Sequence, residues 1–95
     1  MKKANYTAET VTTAFEKDIS SIVRFHRRKS GLSQADLAKT AGVGKTVIFD
    51  IEKGKKTIRV STLSMVLDAL NIKLSFSSPL MAAYERSKEE TNAKR

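Results

Sequence analysis

Apolar positions recur at three- and four-residue steps along most of the chain, then switch to every second residue near position 72. In the first part, Phe15, Ile19, Ile22, Val23 and His26 share one helical face, and Val11 extends the stripe backwards. The pattern predicts a first helix from Thr13, where Thr13-x-x-Glu16 has the form of a capping box, to the basic run Arg27-Arg28-Lys29 before Gly31. His26, on the inner face, reads as a core histidine with its hydrogen bonds satisfied. A second helix starts after Ser33 as N-cap, has Asp36 at its third position, and ends near Ala41 because Gly42 can take a left-handed backbone. A third runs from about Lys45 to Lys53, with Val47, Ile48 and Ile51 inward and Gly54 as its stop. A fourth follows Ser61, with Leu63, Val66, Leu67 and Leu70 as its apolar face. The alternation Ile72, Leu74, Phe76 against Lys73, Ser75, Ser77 then predicts a half-buried strand. Ser78-Pro79 signals one more short helix, with Leu80, Met81 and Tyr84, fading into a charged and frayed tail.

Ninety-five residues suit one small domain. The chain has no cysteine and a single histidine, which excludes disulfides and thiolate metal sites and argues against any metal or cofactor. The opening MKKANYTAET is not followed by an apolar run, and no stretch reaches the length of a membrane span, so a cytoplasmic location away from membrane is expected. Net charge is +8, and it is unevenly placed. Between Glu16 and Val60, eleven basic residues face five acidic ones, so this segment holds +6 of the total. A concentrated cationic field attracts polyanions, nucleic acid foremost.

The string Gly44-Lys45-Thr46 resembles the end of a nucleotide-binding P-loop, but the spacing refuses it. The motif G-x-x-x-x-G-K-[ST] needs a glycine at position 39, which is Lys39, and a strand upstream, where SQADLAKTA has helical spacing. Acid–base pairs at catalytic spacing and a cysteine nucleophile are also missing from the sequence, so no enzyme is expected. The connection around Gly42 is instead short enough to force a near-perpendicular crossing of two helices. Ala38 supplies the small contact residue, and Leu37, Val43, Ile48 and Ile51 the apolar ones. Residues 34–53 therefore read as a helix-turn-helix, and Gly44-Lys45-Thr46 opens its recognition helix.

The stretch GLSQADLAKTAGVGKTVIFDIEKGKKTIRVSTLSMVLDALNI resembles the lambda-repressor/Cro-type (XRE) helix-turn-helix domain over about Ile19 to Ile72. With TLSMVLDALNIKLSF running on into a short strand, the chain is similar to HipB-type antitoxins, the DNA-binding partners of HipA-type kinase toxins. The resemblance implies an all-α bundle of four to five helices, with one short C-terminal strand pairing across a homodimer. The corresponding segments are an N-terminal arm (1–12), the helix-turn-helix domain (13–71), the dimerisation strand (72–77) and a short helix with a flexible tail (78–95). It implies a repressor that binds double-stranded DNA at the nucleoid, autoregulates its operon and binds a HipA-type toxin. A stand-alone repressor is the alternative.

The resemblance also implies roles by position. Gly44, Lys45, Thr46 and Phe49 would read base edges. Ser33, Gln34, Lys39, Lys53, Lys55 and Lys56 would lie at DNA phosphates, with the helix amino end at Gln34 favouring an anion in its own right. Arg27 and Glu52 would form a buried or half-buried structural ion pair between the first and third helices. Three positions depart from the family: Gly44 stands where Ser or Thr would cap, Phe49 where small or polar residues are common, and Asp50 is acidic beside a polyanion. Lys45 suits guanine O6/N7, and Phe49 either presses a thymine methyl or joins the core. Asp50 reads as a solvated partner of Lys53, three residues on.

The strand predicted at 72–77 needs a second strand, and this chain supplies none. The same segment of a second copy, antiparallel across a two-fold axis with Ile72, Leu74 and Phe76 facing the helices below, is the economical partner; an ordered coil on its own domain is the alternative. Such pairing sets two recognition helices about 34 Å apart and implies a palindromic operator.

Overall fold

A computed structural model describes residues 8–93 of the chain, with side chains from Asp18 to Thr91. Five helices follow in order: α1 (Ala8–Lys29), α2 (Gln34–Ala41), α3 (Lys45–Lys53), α4 (Val60–Ala69) and α5 (Met81–Ala93). The core lies where α3 packs on α1 and α2, and α4 on α2. Val23, Leu37, Ala38, Ala41, Ile48, Ile51, Val66, Leu67 and Leu70 are buried there, with Ile19, Leu32, Val43, Val47, Ile58, Leu63 and Ile72 packed around them. None of the helices among the described residues is long and apolar enough to cross a membrane.

One device ends each of the first four helices. A residue one or two positions past the helix takes a left-handed backbone, and the next amide reaches back five residues: Leu32 to Arg27, Val43 to Ala38, Lys55 to Asp50 and Ile72 to Leu67, at 2.9–3.1 Å. Orphan carbonyls at the helix ends are thereby satisfied. Glycine fills the left-handed position three times, and Asn71 (φ 59°) fills it after α4, as a residue that tolerates this region can.

Several boundaries differ from those the sequence predicts. The first helix begins by Ala8, so Thr13 is an interior position and Thr13–Glu16 is not its start. The run Ala8–Thr13 holds neither glycine nor proline, and Thr-x-x-Glu is compatible with a helix interior as well as an end. Residues 8–12 are thus helical rather than an arm, while 1–7 lie outside the described residues. α4 starts at Val60 with Arg59 as N-cap, because Leu63 N–H bonds the Arg59 carbonyl at 2.9 Å, which leaves Ser61 inside. On α1, Ile22 keeps 39% of its surface in solvent, at the edge of the stripe rather than inside it. His26 is half-buried and its Nδ1 donates to the Ile22 carbonyl at 2.7 Å.

The chain after α4 departs most. Residues 72–78 form no regular element in the single chain. A strand is defined by its ladder, and a lone segment has no partner for its amides. Ile72 packs against the core, but Leu74 and Phe76 stay 56% and 80% exposed rather than facing the helices. The expected frayed tail is helical through Ala93. Alanine, glutamate and lysine there are strong helix formers, and Lys88 adds an ion pair to Glu85 (3.7 Å) and sits over the Tyr84 ring (5.5 Å).

Candidate nucleic-acid interface

The turn between α2 and α3 is built from both sides. At the entry to α2, Ser33 Oγ accepts the Asp36 amide at 3.0 Å while the Asp36 carboxylate takes the Ser33 amide at 3.2 Å. This reciprocal pair satisfies two amides that would otherwise lack partners, and the Ser33 bonds hold the Asp36 carboxyl below its ordinary value. At the exit Gly42 has φ 76°. A β-carbon there would meet only Met65 Cε at an ordinary 3.7 Å, so conformation rather than space requires the glycine. Val43 and Gly44 complete the link, and α3 begins at Lys45.

α3 is sharply two-faced. Ile48, Ile51 and Glu52 are buried, and Val47 is half-buried against the core. Gly44, Lys45 and Thr46 are exposed at its amino end, and Phe49 one turn on is 46% exposed, so Phe49 faces outward and is not a core residue. Gly44 is the N-cap without a side-chain bond, which leaves the first amides of α3 open at the end where helix dipoles favour anions.

The residues expected at phosphates fall into two groups. Ser33 and Lys39 are exposed on α2, and Gln34, half-buried, donates its side-chain amide to Glu52 Oε1 at 3.2 Å. Lys53 at the end of α3 and Lys55 and Lys56 after it form a cationic edge, all exposed. Lys53 lies over the Phe49 ring at 5.1 Å, so it is not the partner of Asp50. Asp50 pairs instead with Lys55, Nζ to Oδ2 at 3.3 Å. The left-handed Gly54 swings the chain back and brings position 55 over Asp50, which helical spacing alone would not suggest.

Beneath this surface, Arg27 and Glu52 meet. Nε donates to Oε2 at 2.6 Å and Nη2 to Oε1 at 2.9 Å, and Nη1 donates to the Leu32 carbonyl at 2.9 Å. The carboxylate side chain is only 5% exposed and the guanidinium 11%. Burial alone would push the Glu52 carboxyl up, but the hydrogen bonds of Arg27 and Gln34, with the charges of Arg27 and Arg24, outweigh it and hold the carboxyl below its ordinary value. The same bond raises Arg27. Arg24, one of the eleven basic residues between Glu16 and Val60, donates to the Glu52 carbonyl, and its Nε lies 3.9 Å from Oε1. Its place one turn before Arg27 was the available signal.

A short glycine turn between two packed helices, an outward-facing helix start and a rim of lysines define a helix-turn-helix DNA-binding module. The chain belongs to the helix-turn-helix family HTH_3, of the lambda-repressor/Cro (XRE) type, whose model matches residues 23–77. It is 37% identical over 62 residues to the uncharacterized HTH-type transcriptional regulator y4mF of Sinorhizobium fredii, a match covering 65% of this chain and 82% of that protein. It is 29% identical over 59 residues to the ImmF control region 10 kDa protein of Bacillus phage phi105, across 62% of this chain and 66% of that one. Among solved structures it resembles an HTH_3 family transcriptional regulator from Vibrio cholerae, with a TM-score of 0.59 and 26% identity. That match covers 65% of this chain and 35% of the other, so the chain spans about a third of that regulator's length. A HipB complex with an O2 20mer has a TM-score of 0.62 at 18% identity, covering 83% of this chain and 99% of HipB. At that identity the likeness is one of fold. The protein is an XRE-type helix-turn-helix DNA-binding regulator.

Proposed function

We propose that the chain is a sequence-specific repressor that binds a palindromic operator as a homodimer, autoregulates its operon and acts by binding alone, without a catalytic step. The carrying observation is the exposure of Gly44, Lys45, Thr46 and Phe49 on one side of α3, with Ile48, Ile51 and Glu52 buried on the other. In this reading Lys45 donates to guanine O6/N7, Thr46 offers hydroxyl and methyl, and Phe49 presses a thymine methyl. Ser33, Gln34, Lys39, Lys53, Lys55 and Lys56 lie at phosphates and set the register. Leu74 and Phe76, uncovered in the single chain, are buried when residues 72–77 of two copies pair, with Ile72 anchoring each strand to its own core.

The finer reading is an antitoxin of HipB type, bound to a HipA-type kinase toxin in the cytoplasm at the nucleoid. Its support is the fold shared with HipB in DNA complexes and in a HipA-HipB-O2-O3 complex, where 82% of this chain aligns with 99% of HipB at a TM-score of 0.62. The similarity to a control-region protein of a phage supports a stand-alone repressor as the second reading. A kinase-like reading frame beside this gene whose product co-purifies with the chain supports the antitoxin. A chain that represses its own promoter with no such neighbour supports the second reading. The shared core is tested by selecting duplexes from a random pool: a recurrent palindrome supports it, and a pool without enrichment contradicts it.

A further inference from the structure

Lys55 is attached to Asp50 twice. Its amide donates to the Asp50 carbonyl at 3.0 Å as part of the α3 stop, and its ammonium lies 3.3 Å from Asp50 Oδ2. In this type of helix ending, the residue after the left-handed glycine stands over the one five positions back, and an apolar contact usually fills that place. Here the two positions carry opposite charges. Because Gly54 (φ 83°) fixes the backbone of both partners, the pair is pre-organised rather than a chance meeting of two long side chains. Lys53, nearer in sequence, is parked over Phe49 and leaves the carboxylate to Lys55.

We propose that Asp50 is an intramolecular counterion that stands in for a DNA phosphate at Lys55 and so restrains binding to duplexes of arbitrary sequence. The inference rests on the reading that α3 and the lysines after it face DNA. Non-specific binding draws almost wholly on phosphate contacts and the counterions they release. A lysine already neutralised by Asp50 releases no net counterion when it moves to phosphate, because the carboxylate it leaves takes one up. Lys55 therefore adds little to indiscriminate affinity while it keeps its carboxylate. Contacts to base edges, made from Lys45 and Thr46 at the other end of α3, are unaffected by this exchange. The pair thus lowers background binding without weakening base reading.

The test is a double-substitution cycle on the full chain: wild type, Asp50→Asn, Lys55→Ala and both together, titrated into a fluorescent random-sequence duplex at graded salt. Asp50→Asn should tighten binding about ten-fold at low salt and steepen the salt slope by about one, as Lys55 becomes a net phosphate contact. In the Lys55→Ala background the same substitution should tighten binding about two- to five-fold less, the difference being the weight of a solvent-accessible ion pair. Circular dichroism checks that each variant is folded. Equal tightening in both backgrounds would show that Asp50 acts through its bare charge, and the proposal would fall, as it would with no tightening at all. A folded wild type that binds no duplex at any salt would instead overturn the reading of α3 itself, and this inference with it.

Discussion

Arg27 holds Glu52 by two parallel hydrogen bonds that tie α1 to α3, and Gln34 at the start of α2 donates to the same carboxylate. Three helices thus meet at one buried charge. Glu52→Gln leaves the guanidinium unmatched inside the protein, and a loss of about 3–5 kcal/mol in urea unfolding is expected. Replacing both partners by apolar residues, Arg27→Met with Glu52→Leu, should lose clearly less, because no charge is then stranded. Equal losses would show that the pair's apolar packing, not its charge, holds the helices.

Acid should undo the same contact. The folded Glu52 carboxyl is held below its ordinary value, and Asp36 is shifted the same way by Ser33. A depressed folded value means the stabilisation is present above the unfolded value of about 4.3 and is lost as pH falls through the folded one. The urea midpoint should therefore drop as pH is lowered below about 4, and Glu52→Gln should remove most of that decline. A midpoint just as pH-dependent in the variant would assign the acid sensitivity elsewhere.

Gly42 sets the angle at which α3 is presented. Gly42→Ala should cost about 1–2 kcal/mol from the left-handed backbone alone, and Gly42→Asn less, since asparagine tolerates that region. Thermal melts of the three proteins check the order. If alanine and asparagine destabilise equally, conformation is not what the position selects.

Leu74 and Phe76 provide a mild probe of self-association, because both are exposed in the single chain. Leu74→Asp with Phe76→Asp should give a folded monomer by sedimentation, with palindrome binding weakened far more than binding of a single half-site. A dimer that survives both charges would refute pairing through residues 72–77.

How much was legible in the sequence follows from how local each signal is. Both ends of α2 and the end of α3 could be read, since Ser33–Asp36, Gly42 and Gly54 act through bonds within five positions. Thr13 misled because the same residues serve inside a helix and at its start. Ser61 misled because α4 begins without a side-chain cap. The outward face of α3 was legible from its buried one, but the partner of Asp50 was not. Periodicity points to Lys53, whereas the glycine turn delivers Lys55. Asn71 went unread as a stop because asparagine takes the left-handed region less regularly than glycine. The alternation at 72–77 predicted a strand, and the single chain forms none there, since a strand needs a partner for its ladder.

If the exposed start of α3 reads bases, Lys45→Ala removes a base contact and Lys56→Ala only a phosphate contact. Dissociation constants for a selected palindrome and for a random duplex should be measured for wild type, Lys45→Ala and Lys56→Ala across a range of salt. Wild type should favour the palindrome by about 10³ or more. Lys45→Ala should shrink that ratio by about ten-fold or more, at a cost of about 1–3 kcal/mol on the palindrome. Lys56→Ala should weaken both duplexes alike and flatten the salt slope by about one. A palindrome preference left intact by Lys45→Ala would contradict the account.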